Sequence, residues 1–341
     1  MLLGDLHFDK LEHHDFEWLE RKKAGDLGQI RNYSRITAEI MPRLFATVRA
    51  AVADSRSAFV LQVGDLVEGL CGSEELAVRQ NREALAFVRE ARLGVPFLFT
   101  KGNHDVTGDG AVEAFRRVFI PFLSEQTAGF AGGGKLTSAN YTVEHGGACF
   151  CFYDAYDPLS VDWLDAALAR RTSRHCFVVI HPPVVPYGAR ATWHLYSGAR
   201  DRVKREKLLE LLGTHNAFVL GGHIHKFNTA TRATPAGGKF VQLALSSVIN
   251  SLEVKPKNQL SGIAEYNGDQ IRVEPSHSPE TEKERRAVYD AEKEFVTTFE
   301  YADLPGYAVV TVTASQLTAQ IFSGVSQQLW RTVDLSELMR S

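Results

Sequence analysis

Carboxylates, an asparagine and histidines recur along this chain in short motifs. In order they are Asp5-x-His7, Gly64-Asp65, Gly102-Asn103-His104-Asp105, His181 and Gly222-His223-x-His225. Carboxylate, amide oxygen and imidazole together suit Zn, Mn, Fe, Co or Ni. Asp5, His7, Asp65, Asn103, His181, His223 and His225 are too many ligands for one tetrahedral ion. Two divalent ions need a shared bridge, and a carboxylate with two oxygens supplies it best. Ions so paired sit roughly 3.5–4 Å apart and clamp the attacking and leaving oxygens of a displacement.

Such donors act together only if the fold gathers them. Each of the later motifs ends an apolar run: 58–63, 96–100, 176–180 and 217–220. Unbroken apolar runs suit strands buried on both faces. Ligands in open α/β sheets lie outside the carboxyl ends of such strands, so the motifs converge. Helical spacing covers 34–53, with Ile36, Ile40, Leu44 and Val48, and also 74–92 and 201–212. Asp201 is a candidate N-cap and Gly213 a candidate stop for the last of these. Strands alternating with helices predict an α/β core. Beyond 226 the sequence predicts strands at 240–245 and 262–273, with a hairpin turn at Asn267-Gly268-Asp269. A charged helix at 280–296 and a closing meander at 307–313 and 317–332 follow.

The composition is that of a globular chain. Of 341 residues, 44% are hydrophobic and 23% charged, which excludes a disordered chain, a coiled coil and a collagen-like repeat. Lys plus Arg total 38 against 41 Asp plus Glu, a net charge of −3. That balance argues against long nucleic acid, whose phosphates demand basic tracts. No apolar run approaches the ~20 residues of a membrane span. Cys149 and Cys151 alternate in an apolar run and read as packed free thiols on one strand face. The chain reaches its first motif at once, after Met1-Leu2-Leu3-Gly4. Either the first strand is very short or the chain is trimmed upstream, as in an exported protein without its signal segment. Cytoplasmic and exported locations both stay open.

The ordered motifs from Asp5 to His225, about two thirds of the chain, resemble the calcineurin-like metallophosphoesterases. That superfamily includes purple acid phosphatases and class III cyclic-nucleotide phosphodiesterases. The resemblance implies a four-layer α/β/β/α sandwich, here with a β-rich C-terminal extension. The chain is expected to form a catalytic domain, 1–275, and a segment of charged helix plus strands, 276–341, packed on the same domain. The resemblance implies that Asp5, His7 and His225 hold a first metal, that Asn103, His181 and His223 hold a second, and that Asp65 bridges both. A metal-bridging hydroxide would be the nucleophile. His104 would be the general acid or transition-state stabiliser, and Asp105 would hydrogen-bond its imidazole. Purple acid phosphatases carry a tyrosine three residues after the bridging aspartate. Glu68 stands there in this sequence, which argues against an iron–tyrosinate centre.

Other residues are candidates for substrate contact. His13 and His14 could reach a substrate phosphate, although surface histidines in a polar loop is the plainer reading. Arg190, Trp193 and Tyr196 follow His181 on an aromatic loop, where rings can stack a base and Arg can bind a phosphate. Lys101 reads as solvent-facing. A small-molecule phosphoester is the expected substrate, with diester or nucleotide-like esters favoured because the motifs hold no Arg or Lys cluster. A phosphomonoesterase, a nuclease of the same superfamily and a non-catalytic metal-binding scaffold are the alternatives.

Overall fold

The computed structural model describes residues 1–131, 133–267, 273–274, 276 and 278–341. Its strands in chain order are β1 (Leu2–Leu3), β2 (Val60–Gln62), β3 (Phe97–Phe99), β4 (Tyr141–His145), β5 (Ala148–Tyr153), β6 (His175–Ile180) and β7 (Phe218–Gly221). There follow β8 (Phe227–Ala233), β9 (Lys239–Ala244), β10 (Lys257–Ser261), β11 (Val296–Asp303), β12 (Gly306–Val312), β13 (Leu317–Ser323) and β14 (Leu329–Asp334). Among the described residues they form two sheets, ordered β14-β13-β12-β1-β2-β3 and β10-β11-β8-β9-β7-β6-β5-β4.

The parallel centres of these sheets are β1-β2-β3 and β5-β6-β7-β9. Their alternate residues serve different layers, as strand geometry requires. Phe150, Phe177 and Phe218 share one core with Leu61, Leu98 and Phe99 of the other sheet. Cys149, Cys151, Val178 and Val219 point the other way, into a second core. The helices Leu27–Glu39, Met41–Ser55 and Glu74–Glu90 bury Ile36, Leu44, Val48 and Leu85 in the first core. The helices Ser160–Arg170, Arg202–Thr214 and Glu282–Glu292 bury Leu164, Leu208 and Tyr289 in the second. The result is a four-layer α/β/β/α sandwich. The cysteines at 71, 149, 151 and 176 are all free and buried.

Several boundaries differ from expectation. The helix expected at 34–53 is two helices broken at Ile40, with Pro42 in the first turn of the second. Proline lacks the N–H that a continuous helix would use and its ring clashes with the preceding turn. The spacing of four runs across the break because Ile36, Ile40, Leu44 and Val48 are all buried in one core. Asp201 makes no side-chain cap, and Gly213 lies inside a helix that runs on to Thr214. At 262–273 the strand is displaced to β10, and Ile263–Asn267 is helical. Gly268 and Asp269 of the expected turn lie outside the described residues. The charged helix is shorter than expected, opening on a capping box between Thr281 and Glu284.

The C-terminal strands are woven into both sheets. β12 pairs antiparallel with β1, Leu2 opposite Ala308, and β11 pairs with β8. No helix among the described residues is long and apolar enough to cross a membrane.

Candidate metal centre

The ends of β1, β2, β3, β6 and β7 deliver the motifs to one place. Tight turns there force unusual backbone: φ is +50° at His7, +55° at Asp65, +71° at His223 and +60° at His225. Such conformations cost roughly 1–3 kcal/mol each in non-glycine residues and persist where packing over-determines them. Two glycines are required by close approach. A Cβ on Gly102 would lie 2.1 Å from Asp65 Oδ1, and one on Gly222 would lie 2.5 Å from Asp5 Oδ2.

Ligand atoms of Asp5, His7, Asp65 and His225 lie within 4.8 Å of one another, and those of Asp65, His181 and His223 do likewise. Asp65 is common to both groups. Asn103 Oδ1 joins the second group, 3.2 Å from His181 Nε2. His225 Nε2 is 3.0 Å from His7 Nε2 and 3.6 Å from Asp5 Oδ1. Asp5, His7, Asp65 and His181 are buried, and His104 and His225 are partly open.

The chemistry of these donors fits metal ions. Burial lowers the pKa of His181, but Asp65 and Asp5 outweigh that and raise it to about 9. Its Nδ1 donates to the Val63 carbonyl at 2.9 Å, so loss of the Nε2 proton to a metal leaves a lone pair there. That lone pair faces the oxygens of Asp65 at 3.0 Å and Asn103 at 3.2 Å. His7 Nδ1 lies 2.7 Å from Glu68 Oε2; with the ring proton on Nδ1, the Nε2 lone pair faces Asp65 Oδ2 at 3.7 Å. Asp5 Oδ2 is buried with no hydrogen-bond partner. Acceptors aimed at acceptors are satisfied by a cation between them. Burial pushes Asp5 up to about 7, with His181 opposing, and pushes His223 and His225 down to about 3, helped by neighbouring histidines. Neutral imidazoles are the form a metal binds.

His104 is oriented differently from expectation. Its Nδ1 donates to the Glu68 carbonyl at 2.7 Å and lies 3.3 Å from Glu68 Oε2. Burial lowers its pKa, but Glu68 and Asp65 outweigh that and raise it. Asp105 does not touch the imidazole. Its two oxygens accept from the backbone N–H groups of Asp65, Leu66, Val67 and Gly102 at 2.8–3.2 Å. The carboxylate staples the second motif to the third, and Glu68 takes the orienting position expected of Asp105.

His13 and His14 are not surface residues. Both are buried. His14 Nε2 is 2.7 Å from Asp9 Oδ1 and His13 Nε2 is 3.1 Å from Glu83 Oε2. Asp9 also accepts from Ser34 and Gln80, a network that ties the first motif's loop to two helices. Trp193 tilts against His223, with ring centroids 5.5 Å apart, and Arg190 lies over Trp193 at 4.3 Å. Tyr196 departs from expectation: its hydroxyl bonds that of Tyr153, and its ring packs on the second core. Lys101 is mostly buried and ion-paired with Asp154. Sequence reading missed Tyr33, stacked on His7 at 4.3 Å, and Gln29, which donates to Glu68. Nothing in their local sequence marks them; both sit on one ordinary helix.

A two-sheet α/β sandwich with Asp, Asn and His gathered at its strand ends defines the class of protein. The calcineurin-like phosphoesterase family model matches residues 1–227, and the chain belongs to that family. Three solved structures are similar in fold. A dimetal phosphatase from Danio rerio is 13% identical with a TM-score of 0.54, covering 98% of this chain and 97% of that one. A purple acid phosphatase from yellow lupin (Lupinus luteus) seeds is 12% identical with a TM-score of 0.53, covering 87% and 50%. PhoD is 14% identical with a TM-score of 0.51, covering 85% and 65%. The chain thus spans less than two thirds of the PhoD and lupin chains. No curated protein matches it.

Proposed function

We propose that this chain is a dimetal hydrolase of phosphoric esters. Asp5, His7 and His225 would hold one ion, Asn103, His181 and His223 the other, and Asp65 both. The observation that carries this is Asp65: one buried carboxylate that belongs to two clusters of potential ligands, with imidazole nitrogens of His181 and His7 facing its Oδ2. When bound, the ions would supply Lewis acidity towards the ester and a water of lowered pKa.

The chain's own residues supply the rest. His104, its Nδ1 tied to Glu68, keeps Nε2 for the leaving oxygen and serves as general acid or stabilises the transition state. Glu68 holds the rings of His7 and His104 in register. Trp193 and Arg190 present a flat, cationic wall beside His223, which suits a nucleotide-like or diester substituent.

The test is metal analysis paired with a substrate panel: an aryl phosphate, an aryl phosphodiester, cyclic nucleotides and nucleotide pyrophosphates. Two ions per chain with turnover of at least one ester class is expected. Full metal occupancy with no turnover would favour the non-catalytic scaffold.

A further inference from the structure

A cleft of about 270 Å³ opens beside His225 and Tyr33. Asn32, Arg190, Lys226, Asn250, Glu274 and Asp303 give it a polar lining, and apart from Arg190 none of these has a role in the site described above. Lys226 Nζ is 3.1 Å from Glu274 Oε1 and 2.8 Å from Asp303 Oδ1. Its charge is thereby answered inside the cleft, and the two carboxylates offset the two cations. A second anion therefore gains little there. Asn32 Nδ2 donates to Asn250 Oδ1 at 3.0 Å, and Asn250 is exposed at the cleft. Ala189, Ile224, Val248 and Pro305 complete the wall with apolar surface.

Carboxylates, amides and a guanidinium in one small cleft both accept from and donate to hydroxyl groups. Apolar patches between them suit the C–H faces of a carbohydrate or polyol. The volume lies just below the usual range of ligand pockets, matching one such small group. We propose that this cleft is a subsite for a polyhydroxylated alcohol moiety, so that the substrate is a phosphoric ester of a polyol or sugar. The proposal rests on the phosphoesterase reading of the adjoining metal centre.

The test compares glycerol phosphate with propyl phosphate, or their methyl diesters, on the full metal-loaded chain. The two alkyl groups differ in hydroxyls alone. Wild type should prefer the glycerol ester in kcat/KM, and Asn250→Leu, at an exposed position, should cut that preference about tenfold, mainly through KM. Equal turnover of the two esters, or a preference that survives Asn250→Leu, would overturn the subsite and leave the phosphoesterase reading standing. Turnover of no ester at all would overturn that reading instead, and calorimetry would then decide the subsite. Binding of glycerol phosphate that weakens about tenfold in Asn250→Leu supports it. Absence of binding, or equal binding by both proteins, refutes it.

Discussion

Glu68 Oε2 lies 2.7 Å from His7 Nδ1. The same oxygen is 3.3 Å from His104 Nδ1, and the other oxygen accepts from Gln29. Burial pushes Glu68 up to about 8, with His104 and Gln29 opposing. One carboxylate thus sets the ring orientation of a candidate ligand and of the candidate acid. Glu68→Gln should lower metal affinity or rate by about 10–100-fold, the usual effect of removing a group that orients a ligand. Metal content after dialysis and kcat measure this. Wild-type values for both would show that Glu68 is only a buried space-filler.

Asp65 has the most to lose. Asp65→Ala should abolish activity and leave less bound metal than His225→Ala, because only Asp65 belongs to both ligand groups. Elemental analysis of the two purified variants checks it, and the reverse ranking would remove the bridge.

His104→Ala should keep both metals and the fold while kcat falls about 10²–10⁴-fold. The loss should be smaller for an aryl ester with a low-pKa leaving phenol than for an alkyl or nucleoside ester, since the former needs little protonation as it departs. Loss of a metal would make His104 a ligand. Equal loss on all esters would leave it a charge-stabilising group.

Asp105 is a structural staple in this fold. Asp105→Ala leaves the N–H groups of Asp65, Leu66, Val67 and Gly102 without their acceptor. Unsatisfied buried donors cost about 1–3 kcal/mol each, so with four of them chemical denaturation should show a loss of about 4 kcal/mol or more. In Asp105→Asn the acid limb of the pH–rate profile should stay in place. A shifted limb would restore a direct His104–Asp105 pairing.

Glu292 is buried between Arg205 and Arg232, each 2.7 Å away. Burial raises its pKa, but the two arginines outweigh it, and the folded value lies below the ordinary 4.5. A depressed folded pKa contributes stability above 4.5, and that contribution is lost as pH falls through the folded value. Breaking a buried pair from one side costs about 3–5 kcal/mol. Glu292→Gln should therefore be less stable than wild type by about that much at pH 7. The gap should narrow steadily below pH 4.5. A gap independent of pH would mean that packing, not charge, is lost.

The donor motifs were legible because each is local: a ligand, its neighbour and a glycine adjoin one apolar run, and runs buried on both faces must be strands. The same locality explains the misreadings. Asp105 follows His104 in sequence, so the pair looked like a dyad, yet the turn after β3 aims the carboxylate at backbone N–H groups 38–40 residues away. His13 and His14 look solvated among charged neighbours. Their burial depends on Asp9, Gln80 and Glu83 arriving from other elements.

Sequence alone thus determined which candidate donors gather at the strand ends, their order and the α/β layering, because strand and motif are written within a few consecutive residues. Tertiary structure decided which acid orients His104, which histidines are buried and which face of the 181–201 loop meets the site. It also made the cleft beside His225, whose lining joins residues as distant as Asn32 and Asp303. Contacts between residues hundreds of positions apart leave no periodicity in the chain, and only packing brings them together.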